Sequence, residues 1–207
     1  YKVSKNNTRT CWILKCDIRK FFENINHDIL LDILKKCIFD KNIIRLLKKV
    51  IRSFSSKPNT GLPLGNLTSQ LLVNLYMNEF DQFVKHKLKI KYYIRYADDF
   101  IILSEDKGYM KKQIPIIKGF LQNELSLTLH PNKIYIKTLY SGINFLGWVN
   151  FKDHRVIRNT TKKRMFRKIK ENRKSQILSS YIGLLKHGNT QKVKNKVLKL
   201  YNQNIRL

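Results

Sequence analysis

Two adjacent aspartates, Asp98 and Asp99, stand inside an otherwise strand-forming stretch, Tyr92-Tyr-Ile-Arg-Tyr-Ala-Asp-Asp-Phe-Ile-Ile-Leu103. The flanking runs, Tyr92 to Ala97 and Phe100 to Ser104, are rich in aromatic and β-branched residues, which is the pattern of a tight hairpin with both carboxylates at its tip. The chain has 14 Asp+Glu against 42 Lys+Arg, so it has few carboxylates to place. Neighbouring like charges repel unless a cation lies beside them, and a divalent metal is the natural remedy. Taken alone, the pair is equally consistent with two solvated turn residues. A third carboxylate changes the balance: Trp12 to Asp17 alternates apolar and polar residues and reads as a strand ending on Asp17. Antiparallel neighbours would bring it to the hairpin. Three carboxylates can hold two magnesium ions about 3.5–4 Å apart, an arrangement suited to phosphoryl transfer.

The rest of the chain supplies helices to cover such a sheet. Ile29, Ile33, Leu34, Cys37 and Ile38 fall at helical spacing after Asp28, a plausible N-cap. A second stripe runs through Ile43, Leu47, Val50, Ile51 and Phe54. Residues 55–68 have the Ser, Pro, Gly and Asn density of a loop, and the helical pattern resumes with Leu71, Leu72, Leu75, Tyr76, Phe80 and Phe83. Lys111 to Leu125 reads as a helix with Pro115 tolerable only near its start, and Lys133 to Lys137 and Ile143 to Phe151 read as extended. This order predicts an α+β fold, a sheet with helices on one face. From residue 152 the character changes to 17 Lys/Arg against two acidic residues, with Ile169, Ile177, Tyr181 and Leu185 and then Val193, Val197, Leu200 and Tyr201 at helical spacing. A separate basic helical module is expected there.

The net charge of +28 over 207 residues self-repels unless a polyanion neutralises it, so nucleic acid is the leading partner. No apolar run approaches membrane-spanning length and no signal pattern begins the chain. A soluble, cytoplasmic protein is expected, with no membrane partner. Cys11, Cys16 and Cys37 form no closely spaced pair. The five histidines (27, 86, 130, 154 and 187) show no recurring metal-ligand spacing and are assigned to packing, capping or surface.

Five segments in order carry a family resemblance: Asp17-Ile-Arg-Lys-Phe-Phe22, Gly61-Leu-Pro-Leu-Gly-Asn-Leu-Thr-Ser-Gln70, Tyr96-Ala-Asp-Asp99, His130-Pro-Asn-Lys133 and Phe145-Leu-Gly-Trp148. They resemble successive motifs of the reverse transcriptases, the RNA-directed DNA polymerases. The resemblance implies a right-hand polymerase palm over residues 1–151, with a remnant of fingers at 1–10, and a basic α-helical thumb over 152–207. Fingers are otherwise largely absent from this stretch, so the chain is expected to be an N-terminally truncated piece that polymerises weakly by itself.

What the family does then carries over position by position. Asp17, Asp98 and Asp99, with the backbone carbonyl of Ile18, would hold two Mg2+ ions. Ile18, Phe22, Leu64, Gly65, Ser69, Gln70, Tyr96 and Ala97 would surround the incoming deoxynucleotide, with Phe22 blocking a ribose 2′-hydroxyl. Lys133 would protonate the leaving pyrophosphate. Phe145, Leu146, Gly147 and Trp148 would grip the primer end. The implied partners are an RNA template, a DNA or RNA primer and a deoxynucleoside triphosphate. Many relatives have Gln-Gly followed by Ser-Pro in the glycine loop, whereas this chain has Leu64-Gly65 followed by Ser69-Gln70. That resembles the error-prone enzymes of diversity-generating retroelements, which would add a small basic accessory protein. The alternatives are a group II intron-type or retron-type reverse transcriptase, and a nucleic-acid-binding fragment that has lost catalysis.

Overall fold

A computed structural model describes residue 3, residues 8–172 and residues 174–203 of the chain. Contacts divide it into one unit over Lys2–Ile136 and another over Lys137–Leu207. The division falls within a strand, upstream of the change in composition at residue 152. The expected α+β class is what the chain adopts.

In the first unit, β1 (Trp12–Asp17), β2 (Tyr93–Tyr96) and β3 (Asp99–Ser104) join β4 (Tyr135–Thr138) in a sheet of order β2-β3-β1-β4. Both β2 and β1 run antiparallel to β3. Phe100, Ile101 and Ile102 are buried in succession, as befits an inner strand covered on both faces. Along edge strand β2 burial alternates: Tyr93 and Arg95 are partly covered, Ile94 and Tyr96 exposed.

Four helices follow the predicted stripes. The first, α1 (His27–Cys37), begins earlier than expected: Asn26, not Asp28, is the N-cap, its side chain accepting from the amides of Asp28 and Ile29. Asp28 lies in the first turn, where it pairs with Arg52. Asp40 caps α2 (Lys41–Arg52) and Asn66 caps α3 (Leu67–Gln82), which runs on through a π-helical turn, Phe83–Lys87. The fourth, α4 (Lys107–Leu125), places Pro115 in its interior rather than near its start. Asp106 supplies the reason, since its carboxylate accepts from Gly108 and Tyr109 and starts the helix at Lys107.

Leu30, Tyr76, Phe80, Ile117 and Leu121 form one apolar core with Leu14, Cys16, Phe100 and Ile102 of the sheet. Phe80 sits edge-on to Phe100 at 5.1 Å, and Phe83 stacks on Phe120 at 4.0 Å. The Tyr76 hydroxyl, buried with its ring, donates to the Leu125 carbonyl at 2.7 Å and ties α3 to the end of α4.

The second unit contains an antiparallel sheet, β5 (Ile143–Phe145), β6 (Trp148–Asn150) and β7 (Arg155–Ile157). The run read as extended from Ile143 to Phe151 is thus a hairpin, turning at Leu146 (φ +52) and Gly147 (φ +81). Two successive positive φ values are what a two-residue hairpin loop requires to match strand twist. Three helices follow: α5 (Asn159–Glu171), α6 (Ser175–Leu185) and α7 (Gln191–Gln203). They bury Met165, Ile169, Leu185 and Val197 with Trp148 and Ile157. Gly188 is required by close approach, because a Cβ there would collide with the Trp148 ring and lie 2.9 Å from the Arg155 carbonyl. Among the described residues, no helix is long and apolar enough to cross a membrane.

Candidate active site

Strand register builds the site. Asp99 pairs with Asp17 across β1 and β3 and with Tyr96 across β2 and β3. Cross-strand partners point to the same face of a sheet, so Tyr96, Asp99 and Asp17 form a row. Lys15, two residues before Asp17, shares that face by alternation. The opposite face carries Arg95, Phe100 and Cys16 in the same manner. Between β2 and β3 the chain turns at Ala97 and Asp98. Ala97 takes φ +51, a left-handed conformation costing a residue with a Cβ roughly 1–2 kcal/mol. Beyond the end of β1, the Ile18 amide donates to the Asp98 carbonyl at 3.1 Å. All three aspartates are therefore tied to one corner of the sheet by main-chain bonds.

Two lysines answer the acidic cluster. Lys15 Nζ lies 2.6 Å from Asp99 Oδ2. Lys133 Nζ lies 3.0 and 3.1 Å from the two oxygens of Asp17. Lys133 is carried by the short 3-10 turn Pro131–Lys133, which is anchored to β1 because the His130 amide donates to the Asp17 carbonyl at 2.7 Å. Even so, Asp98 and Asp99 are both held above the ordinary carboxylate range. For Asp98, burial is the larger cause, and repulsion from Asp17 and Asp99 adds to it. For Asp99, burial outweighs the relief from Lys15. Burial and the nearby Asp99 charge push the Cys16 thiol up to about 12, so it stays protonated.

The donor set suits a hard cation in its chemistry. Asp99 Oδ1 is buried with no hydrogen-bond partner, an orphaned charge-bearing oxygen of the kind a divalent ion satisfies. Among the described residues, no group of three or more His, Cys, Asp or Glu is arranged to hold a metal ion. Asp17 has both oxygens engaged by Lys133, and Asp99 has one engaged by Lys15.

The other singled-out residues fall into three groups. Phe22 opens a 3-10 turn just past Asp17, half-buried and edge-on to Phe21 at 5.5 Å. In the glycine loop, Leu64 is 75% exposed, Gly65 has φ +83 with open space around its Cα, and Gln70 is exposed. Ser69 departs from the expectation of a ligand-facing hydroxyl, since it is 1% exposed on the core side of α3. Asn66 is likewise occupied, capping α3 and accepting from the Thr68 hydroxyl. Phe145, Leu146, Gly147 and Trp148 lie in the second unit. There Leu146 is exposed at the hairpin tip, and Trp148 is a core residue with the Arg155 guanidinium 5.0 Å from its ring centre. Of the histidines, His27 is buried with Nε2 2.7 Å from the Gly61 carbonyl, and His130 Nδ1 accepts from the Asn132 amide.

The family model described as "Reverse transcriptase (RNA-dependent DNA polymerase)" matches residues 2–150. The chain belongs to the reverse transcriptase family. Among curated relatives of this reverse transcriptase chain, the putative COX1/OXI3 intron 2 protein of Saccharomyces cerevisiae is 25% identical over 70% of the chain. The group II intron-encoded protein LtrA of Lactococcus lactis subsp. cremoris is 26% identical over 74%. The chain spans 24% and 36% of those two proteins. Among solved structures, apo telomerase from Candida tropicalis is similar with a TM-score of 0.60 at 15% identity, covering 99% of this chain and 43% of that one. At that identity the likeness concerns the fold.

Sequence inspection missed Lys15 and Arg95. Strand alternation could have found Lys15, which lies two residues before Asp17. No local signal marks Arg95, whose partners Asp81 and Asn74 lie on α3.

Proposed function

We propose that this chain carries the polymerase centre of an RNA-directed DNA polymerase that extends a primer with deoxynucleoside triphosphates. The observation that carries it is the register that sets Asp17 beside Asp99, with Asp98 at the adjoining turn. Asp17, Asp98 and Asp99, with the Ile18 carbonyl, are the groups that would hold magnesium. When bound, the metal would activate the primer 3′-hydroxyl and steady the charge on the departing pyrophosphate. The 3′-oxygen, its proton lost to solvent, bonds to the α-phosphorus, and the bond from that phosphorus to the bridging oxygen breaks to release pyrophosphate. Lys133 Nζ, freed from Asp17, is the group to neutralise or protonate that leaving oxygen. Phe22 presents ring bulk next to the Asp17 corner and is assigned to exclude a 2′-hydroxyl. Leu64, Gly65 and Gln70 line the exposed loop end of α3 and are assigned to the nucleotide and template, as are Tyr96 and Ala97 beside the aspartates. Ser69 supports that loop from the core.

Residues 1–151 act as palm and 152–207 as thumb in this proposal. The Phe145–Trp148 hairpin serves as primer grip, and the basic helices hold phosphates of an RNA/DNA duplex. The intron-encoded relatives support an intron-type enzyme. The diversity-generating type, with its accessory protein, rests on Leu64 and Gln70 alone.

Primer extension on an RNA template by the full-length protein tests the assignment. Asp17→Asn and Asp98→Asn should each lower the rate on the order of 100-fold or more. Undiminished synthesis by both variants would overturn it.

A further inference from the structure

We propose that Arg95 is a positioning residue for the Asp98-Asp99 turn: braced on Asp81 of α3, its guanidinium holds the Ala97 carbonyl and so keeps the strained turn in the conformation that presents both carboxylates. The proposal rests on the polymerase assignment above for its meaning, but not for its geometry.

The turn needs such a device. It joins β3 to an edge strand, so no further strand supports it from outside. The ladder pairs Tyr96 with Asp99 but leaves the orientation of the Ala97–Asp98 peptide to the turn itself. With Ala97 at φ +51, a conformation disfavoured for a residue with a Cβ persists only where its surroundings over-determine it.

Arg95 supplies that constraint from the core side of the sheet. Its Nε and Nη2 donate to Asp81 Oδ1 and Oδ2 at 2.8 and 2.6 Å, a two-pronged ion pair. Its Nη1 donates to the Ala97 carbonyl at 3.1 Å, with Asn74 Oδ1 at 3.4 Å. The Tyr93 hydroxyl donates to Asp81 Oδ1 at 2.7 Å, fixing the carboxylate that fixes the arginine. The Arg95 side chain is 9% exposed, so these charge-assisted bonds are little screened by water. The planar fork is what allows one side chain to grip a carboxylate and a carbonyl together, and a lysine ammonium on a flexible stem does not reproduce it. A helix of the core thereby reaches through the sheet edge and sets the main chain one peptide away from Asp98.

The test compares wild-type full-length protein with Arg95→Lys and with Asp81→Asn, a near-isosteric change that takes away the charge of the brace and one of its two acceptor oxygens. Amide hydrogen exchange is measured across α3, β3 and residues 96–99, and Mn2+ is titrated by water-proton relaxation. Exchange at residues 96–99 should accelerate at least about tenfold relative to α3, and Mn2+ binding should weaken about 10–100-fold, as for other groups that orient metal ligands. Unchanged turn exchange in both variants overturns the proposal. So does an acceleration spread equally over α3 and β3, which would mark a general stability contact. Should Arg95→Lys fail to fold, Asp81→Asn decides by the same comparison. A wild-type protein that binds no Mn2+ counts against the metal-centred assignment, and the exchange comparison then judges the clamp separately.

Discussion

Asp17 and Asp99 are register partners across β1 and β3, and each is met by its own lysine: Lys133 at 3.0 Å from Asp17 and Lys15 at 2.6 Å from Asp99. The sheet thus concentrates negative charge at one corner, and the fold lends it two ammonium groups.

The stability of the metal-free protein should depend on pH with a definite sign. Asp98 and Asp99 have folded-state pKa values raised above the usual 3.8. Just above that value the folded state binds more protons than the unfolded state, so stability falls as pH rises through the raised values and levels off beyond them. Asp98→Asn should flatten this slope and raise the thermal midpoint at neutral pH, even as it removes activity. Thermal melts from about pH 4 to 8 in chelator check this, and Mg2+ should raise the wild-type midpoint more than that of the variant.

Phe22→Ala should relax sugar selection. A ring that excludes one hydroxyl by bulk alone is worth about 1–3 kcal/mol, or roughly 10–200-fold in discrimination. Ribonucleotide incorporation relative to deoxynucleotide should rise within that range, as read by single-nucleotide extension. Equal ratios in variant and wild type would return Phe22 to the packing role that its half-buried contact with Phe21 also allows.

Leu64→Gln tests the loop. Leu64 is three-quarters exposed, so the change should leave stability within about 0.5 kcal/mol. If the apolar side chain loosens base selection, misincorporation opposite template adenine should drop. An unchanged error rate would remove the main support for the diversity-generating type.

Tyr76→Phe separates stability from chemistry. The variant leaves the buried Leu125 carbonyl without the donor 2.7 Å away, at a cost of about 1–3 kcal/mol. Denaturant unfolding should show that loss, with the rate of primer extension per folded molecule unaltered.

The elements and the kinds of side chain available are legible in the order of residues alone. Period-two alternation marked β1, aromatic and β-branched runs marked β2 and β3, helical stripes marked α1 to α4, and the doubled aspartate marked the hairpin, because these signals are local and span a few residues. Caps were less legible: Asn26 displaced Asp28 because either side chain can accept the first amides, and only the path of the incoming chain chooses between them. Likewise, Pro115 is interior because Asp106 starts α4 a turn earlier than the apolar stripe suggests. The hairpin at Leu146-Gly147 was visible as a motif but not as two strands within one apolar run. What each charged group faces follows from packing between distant segments. Lys133 reaches Asp17 and Arg95 reaches Asp81 because a strand, a short turn and a helix distant in sequence pack around one sheet. Electrostatic pairing at 3 Å depends on that packing, and no spacing along the chain encodes it.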